Sequence, residues 1–112
     1  YYLISIIRNL INNSIESIKE QGIIKIKISK NDKFLNLKIK DSGCGIKEKD
    51  LKYIFNIGYS TKIEMKKGKF KRGIGLSLVK DLVEKKFKGS INVKSKIDKG
   101  TIFNIKLSIS DL

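Results

Sequence analysis

The sequence predicts an α/β (α+β) fold: a two-layer sandwich in which a mixed, mostly antiparallel sheet is covered on one face by helices. Three observations predict it. Apolar residues recur at three- and four-residue steps over residues 3–20 and again over 74–87, the period of amphipathic helices. Segments of strict alternation come in neighbouring pairs, 23–29 with 35–39 and 91–93 with 103–109. Strands that arrive as hairpins, not singly between helices, make an antiparallel-rich sheet whose one apolar face needs helices against it.

Each element follows from its residues. In the first helix Leu3, Ile7, Leu10, Ile11, Ser14 and Ile18 form the inward stripe, and Gly22 is expected to end it. Ile24, Ile26 and Ile28 then alternate with Lys25 and Lys27, Asn31-Asp32 turns the chain, and Leu35, Leu37 and Ile39 alternate with Asn36, Lys38 and Lys40. Two glycines break the pattern in Asp41-Ser42-Gly43-Cys44-Gly45-Ile46, and a short helix follows at about 47–55. Residues 56–72 are polar, Lys-rich and weakly periodic, which reads as a loop. The helix over 74–87 is expected to bury Leu78, Val79, Leu82, Val83 and Phe87, with Gly89 as its stop. Ile91 and Val93, a turn at Asp98-Lys99-Gly100, and Phe103, Ile105, Leu107 and Ile109 complete the second hairpin.

At 112 residues the chain is one domain, 1–112. A hydrophobic content of 40% is too high for a disordered chain. No apolar run approaches the roughly 20 residues of a membrane-spanning helix, and no signal peptide opens the chain. A single Cys cannot form an internal disulfide and fits a reducing compartment. The absence of His excludes His-ligated metal, Ser-His or Cys-His nucleophiles and a phosphorylatable imidazole within the chain. The formal charge of +14 invites a nucleic-acid partner, but 23 of the 25 basic residues are Lys, spread over the whole chain. Arg, the preferred reader of bases, occurs twice. Lys, Ile and Asn make up 52 residues while Ala and Pro are absent, a compositional bias that explains most of the charge, and no nucleic-acid partner is expected.

Three clusters could carry chemistry. Asn9, Asn13 and Glu16 are spaced four and then three, so they share a narrow wedge of the first helix opposite its apolar stripe. Asn is a mediocre helix former, and amide oxygens suit a hard cation or a phosphate-bound one; a solvated polar face is the plainer account. Asp41-Ser42-Gly43-Cys44-Gly45 follows a strand directly, where glycines admit a close backbone approach and the Asp offers an acceptor pair for an exocyclic amine. An Asx turn would use the same residues. Arg72-Gly73-Ile74-Gly75-Leu76 opens a helix, whose free N–H groups can bind phosphate. Neither glycine pair is a Walker loop or a dinucleotide fingerprint.

The order of these clusters is more specific than any one of them. An Asn-rich helix, a strand, Asp-x-Gly-x-Gly, a short helix ending in Ile54-Phe55, a loop, a Gly-x-Gly helix, and Gly100-Thr101 between two strands resemble, over the whole chain, the ATP-binding domain of the GHKL superfamily (gyrase, Hsp90, histidine kinase, MutL). That resemblance implies the Bergerat fold, with ATP and Mg2+ as ligands. It makes Asn13 the Mg2+ ligand, Asn9 a secondary polar contact and Asp41 the acceptor for the adenine amine. It lays Gly43 and Gly45 against the nucleotide and matches Phe55 to the F-box. Gly73, Gly75 and Leu76 become the phosphate-facing glycine box, and Thr101 lies near the base. The segment Gly58-Tyr59-Ser60-Thr61-Lys62 resembles the start of an ATP lid, with Lys62 and Arg72 as the cations that position phosphate. With Lys62, Lys66, Lys67, Lys69, Lys71 and Arg72 against Glu64 alone, the lid, residues 56–72, is expected to be mobile over about 60–71 without nucleotide.

Chemistry places the chain within the superfamily. Its hydrolases keep a Glu four positions before the Mg-binding Asn as base for water, and here that position is Asn9, whose amide takes no proton at neutral pH. The chain therefore resembles histidine kinases. Many of these carry Lys-Tyr where Glu16 and Ser17 stand. Asn13-Ser14-Ile15-Glu16-Ser17 with Gly58-Tyr59-Ser60-Thr61-Lys62 resembles the citrate and C4-dicarboxylate sensor subgroup. The resemblance implies transfer of the γ-phosphoryl group of Mg-ATP to a histidine on a separate dimerisation domain of the same kinase, and indirectly to a response regulator. It also implies a monomeric fragment, the cytoplasmic part of a membrane-anchored sensor. An ATP hydrolase, or a degenerate binder that only transmits conformation, is the alternative. No general base is expected within the chain.

Overall fold

The computed structural model describes residues 2–56 and 75–111. Helix α1 (Tyr2–Ser17) leads into a hairpin of β1 (Ile24–Lys30) and β2 (Phe34–Asp41), and a 3₁₀ turn follows at Glu48–Tyr53. Helix α2 (Gly75–Asp81) continues as a wider π turn (Leu82–Lys86), and β3 (Ser90–Lys96) and β4 (Gly100–Ser108) form the second hairpin. The strands lie in the order β1-β2-β4-β3. All three pairings are antiparallel, so the described strands contribute no parallel pair to the sheet.

Alternation sets the register, and the register makes rows across the inner face. Ile28, Leu37, Ile105 and Ile91 form one row, and Ile26, Ile39, Phe103 and Val93 the next. The third row changes character: Ile24, Asp41, Thr101 and Ser95. The core packs Ile6 and Leu10 of α1 and Leu76, Val79, Leu82 and Val83 of α2 against Leu37, Ile39, Phe103, Ile105 and Leu107. Its polar end is therefore fixed at one edge of the helix layer.

Several expectations shift, the α1 stripe among them: Ile6 is buried with Leu10 and Ser14, while Ile7 and Ile11 are half-buried. Helix α1 stops at Ser17, ahead of Gly22, because the Ser17 hydroxyl donates to the Ser14 carbonyl at 2.8 Å and the Ser17 carbonyl accepts the N–H of Cys44 at 3.0 Å. Ile26 and Ile28 do face the helix side, yet they are 46% and 57% exposed, whereas Ile24 at the start of the same edge strand is half-buried against the core. In α2, Leu78 is exposed and Leu76 is buried instead, because the inward stripe runs 76, 79, 83, 87 and the π turn admits Leu82 beside it. Lys88, with φ 51°, takes the left-handed position that ends this helix, one residue ahead of the stop expected at Gly89. Gly89 is needed for close packing instead, since a Cβ there would stand 1.8 Å from the carbonyl oxygen of Lys106 on β4.

Candidate functional site

Helix α1 supplies the first wall. Asn9 is half-buried, and its Nδ2 donates to the carbonyl of Ser5 at 2.7 Å. That bond turns Oδ1 toward the start of α2, where a Cβ on Gly75 would lie 3.3 Å from it. The Asn-rich helix and the Gly75-Leu76 turn, 66 residues apart in sequence, are thus brought together. Asn13 is also half-buried, and among the described residues its amide has no hydrogen-bond partner. Glu16 is exposed.

The polar row supplies the second wall. Asp41 is buried at the end of β2 without an ion-pair partner among the described residues. Its carboxylate is held by neutral donors: the Ser14 hydroxyl to Oδ2 at 3.0 Å, the Gly43 N–H to Oδ1 at 2.9 Å, and a longer contact from the Ser17 hydroxyl to Oδ1 at 3.3 Å. Such donors satisfy the lone pairs that burial would otherwise leave without partners. Thr101 stands directly opposite Asp41 on β4, and its hydroxyl lies 2.8 Å from that of Ser95. Ser95 also donates to the carbonyl of Gly100 and accepts the N–H of Ile46.

The loop between these walls is pinned by its own chain. A Cβ on Gly43 would fall 2.1 Å from the Ser17 hydroxyl oxygen, and one on Gly45, at φ 75°, would fall 2.0 Å from the carbonyl oxygen of Lys96. The side of each glycine where a side chain would stand is filled by protein, so close packing is itself a reason for glycine here. Cys44 is exposed and takes part through its backbone, its carbonyl accepting the N–H of Asp98 at 2.9 Å. Phe55 packs at the margin of the core with the Lys80 ammonium 5.6 Å from its ring centre, and Leu76 lies within the core. Lys62, Arg72, Gly73 and the stretch 60–71 expected to be mobile lie outside the described residues.

Sequence reasoning misses three hydroxyls. Ser14 falls within the apolar stripe of α1, and a hydroxyl in such a stripe needs an acceptor; here it has one. Ser95 continues the Ile91, Val93 alternation and carries the same signal. Ser17 stands out in the sequence only for the residue type it replaces.

Comparison with known proteins follows the same lines. The family model described as histidine kinase-, DNA gyrase B-, and HSP90-like ATPase matches residues 2–111. The sensor protein CiaH of Streptococcus pneumoniae is 38% identical over 100 residues, which cover 89% of this chain and 22% of that protein. A probable C4-dicarboxylate sensor kinase of Halalkalibacterium halodurans is 34% identical over 109 residues, covering 94% of this chain and 19% of its own length. The chain spans about a fifth of the length of these two relatives. Among solved structures, a nucleotide-free catalytic domain of the histidine kinase ThkA superposes with a TM-score of 0.75 at 26% identity, covering 92% of this chain and 64% of that one.

Proposed function

The chain belongs to the family of histidine kinase-, DNA gyrase B- and HSP90-like ATPases, and from that premise we propose that it binds Mg-ATP and delivers the γ-phosphoryl group to a histidine on a separate dimerisation domain. The observation that carries this reading is the buried Asp41 carboxylate, held by Ser14 and Gly43 at the end of the polar row. A buried carboxylate without a cation is suited to receive a donor from a ligand, and the adenine amine is such a donor.

The residues present fit the magnesium ion as well. The described residues hold no cluster of three or more acidic, Cys or His side chains and so offer no cage made by protein alone. Mg2+ commonly keeps waters and takes one or two protein oxygens beside substrate phosphates. The half-buried amide of Asn13 is the donor for that arrangement, with Asn9 beside it. When bound, the ion neutralises charge on the phosphates. The chain's own part is to hold the base through Asp41, keep Asn9 and Gly75 in register, and position the phosphates with the cations Lys62 and Arg72.

Asn9 favours transfer over hydrolysis, because its amide cannot take a proton from water. The chain has no His, so the acceptor belongs to another domain of the same kinase, from which a response regulator would receive the phosphoryl group. No helix among the described residues is long and apolar enough to cross a membrane. We place the domain in the cytoplasmic part of a membrane-anchored sensor, monomeric by itself and without a nucleic-acid partner.

The test is titration of the wild type and Asp41→Ala with Mg-ATP, followed by incubation with a dimerisation domain carrying its histidine. Loss of adenine-nucleotide binding in the variant and phosphotransfer by the wild type are expected. Equal binding by both would overturn the site. Phosphate release in place of transfer would favour the hydrolase, and binding with neither would leave a domain that only transmits conformation.

A further inference from the structure

Each oxygen of the Asp41 carboxylate has its own donor among the described residues, and for Oδ2 that donor is the Ser14 hydroxyl. We infer that Ser14 is the positioning residue for base selection: its hydroxyl fixes the plane in which the Asp41 carboxylate accepts from a base. This rests on Asp41 as the partner of the adenine amine.

Ser14 is 0% exposed and shares the core-facing stripe of α1 with Ile6 and Leu10. A serine within a helix commonly returns its hydrogen to a carbonyl of the preceding turn. Ser14 sends its hydrogen across to Oδ2 of Asp41, 27 positions along the chain. The other oxygen, Oδ1, takes the Gly43 N–H. Ser17 has one hydrogen to give, and the Ser14 carbonyl at 2.8 Å claims it ahead of Oδ1 at 3.3 Å. Each carboxylate oxygen thus has one short donor, and the two donors come from different elements. The terminal torsion of an Asp is broad when free; two donors on opposite oxygens set its plane.

The neighbouring hydroxyl has the same polarity. Ser95 gives its hydrogen to the Gly100 carbonyl at 2.9 Å, so the hydrogen in the 2.8 Å contact between Ser95 and Thr101 is Thr101's own. Asp41 and Thr101, directly opposed on β2 and β4, are left with lone pairs and no hydrogen to offer. A base edge with an amine finds acceptors there. An edge with a carbonyl meets lone pairs, and an edge with neither leaves the carboxylate unpaired.

The experiment is a cycle on the intact chain. Dissociation constants are measured for Mg-ATP and for the Mg complex of purine riboside triphosphate, which lacks the amine, with wild type and Ser14→Ala. A hydrogen bond to a charged group corresponds to a factor of about ten or more in affinity, so the wild type is expected to prefer ATP by at least that ratio. In Ser14→Ala the ratio is expected to fall to about two, with ATP losing nearly all of the difference. If the serine only supports packing, both ligands weaken equally and the ratio stays, which overturns the inference. A wild type that binds both ligands equally overturns the reading of Asp41 itself, a separate failure. Should Ser14→Ala lose its cooperative melt, Ser14→Cys, which keeps a side chain in the site but donates weakly, gives the same readout.

Discussion

A methyl group built on Gly75 would stand 3.3 Å from Oδ1 of Asn9. That separation is tighter than most real contacts of a Cβ, and Asn9 is not free to swing away while its Nδ2 holds the Ser5 carbonyl at 2.7 Å. Gly75→Val is therefore expected to push Asn9 out of place. Mg-ATP affinity should fall by about tenfold or more, while the loss of stability stays within ~1–3 kcal/mol, the usual range for overpacking. Parallel nucleotide titrations and urea melts check this, and an unchanged affinity would separate Gly75 from the site.

Asn13 gives the complementary test. Its amide has no partner among the described residues, so truncation removes the group proposed to meet the ion at little structural cost. Asn13→Ala should change stability by less than about 0.5 kcal/mol, and it replaces Asn with a better helix former. The affinity for ATP should fall when Mg2+ is present and change little in excess chelator. Equal loss in both conditions would assign Asn13 to the base or sugar instead of the ion.

The phase of α2 is tested by two leucines two positions apart. Leu76 is 5% exposed and belongs to the core, whereas Leu78 is 38% exposed. Leu76→Ala should cost ~2–5 kcal/mol and Leu78→Ala less than about 0.5 kcal/mol. Urea denaturation of the two variants measures the difference directly.

What can be read from the chain follows from local periodicity. The alternations Ile24-Ile26-Ile28, Leu35-Leu37-Ile39 and Phe103-Ile105-Leu107 define both hairpins, and with them the row that brings Asp41 opposite Thr101. The roles proposed for Asp41 and Asn9 come from motif order alone. What local pattern cannot supply is set by tertiary neighbours. Leu76 and Leu78 are equally apolar, and only the packing of α2, chiefly against α1, selects one. Ile26 and Ile28 read as core by alternation, yet burial depends on what lies over the edge strand. Ser14 and Ser95 look like interruptions of apolar stripes until their acceptors, 27 and 5 positions away, are in place.

The end of α2 predicts opposite effects at adjacent positions. Lys88 is held at φ 51°, where an L side chain is strained and glycine is not. Lys88→Gly is expected to stabilise the domain by about 0.5–1 kcal/mol. At Gly89 the space is missing, since a Cβ would overlap the Lys106 carbonyl at 1.8 Å. That oxygen belongs to the backbone of β4 and cannot rotate away, so Gly89→Ala should destabilise by ~1–3 kcal/mol or more. Thermal melts that rise for the first variant and fall for the second would support the assignment of the stop to Lys88.

Ser95 ties three segments with one hydroxyl. It accepts the Ile46 N–H at 2.8 Å, donates to the Gly100 carbonyl at 2.9 Å, and meets the Thr101 hydroxyl at 2.8 Å. Ser95→Ala leaves the Ile46 N–H and the buried Thr101 hydroxyl without this partner, a loss of ~1–3 kcal/mol. Thr101→Val removes the other end of the same contact. Because the two share one hydrogen bond, the double variant should cost less than the two single losses combined, by about 0.5 kcal/mol or more. Additive losses would show that the contact carries no energy of its own. Nucleotide titration of Ser95→Ala then adds a functional arm. The bond from Ile46 anchors the far side of the Gly43–Gly45 loop, so releasing it should loosen the N–H of Gly43 on Asp41 and weaken ATP binding together with stability.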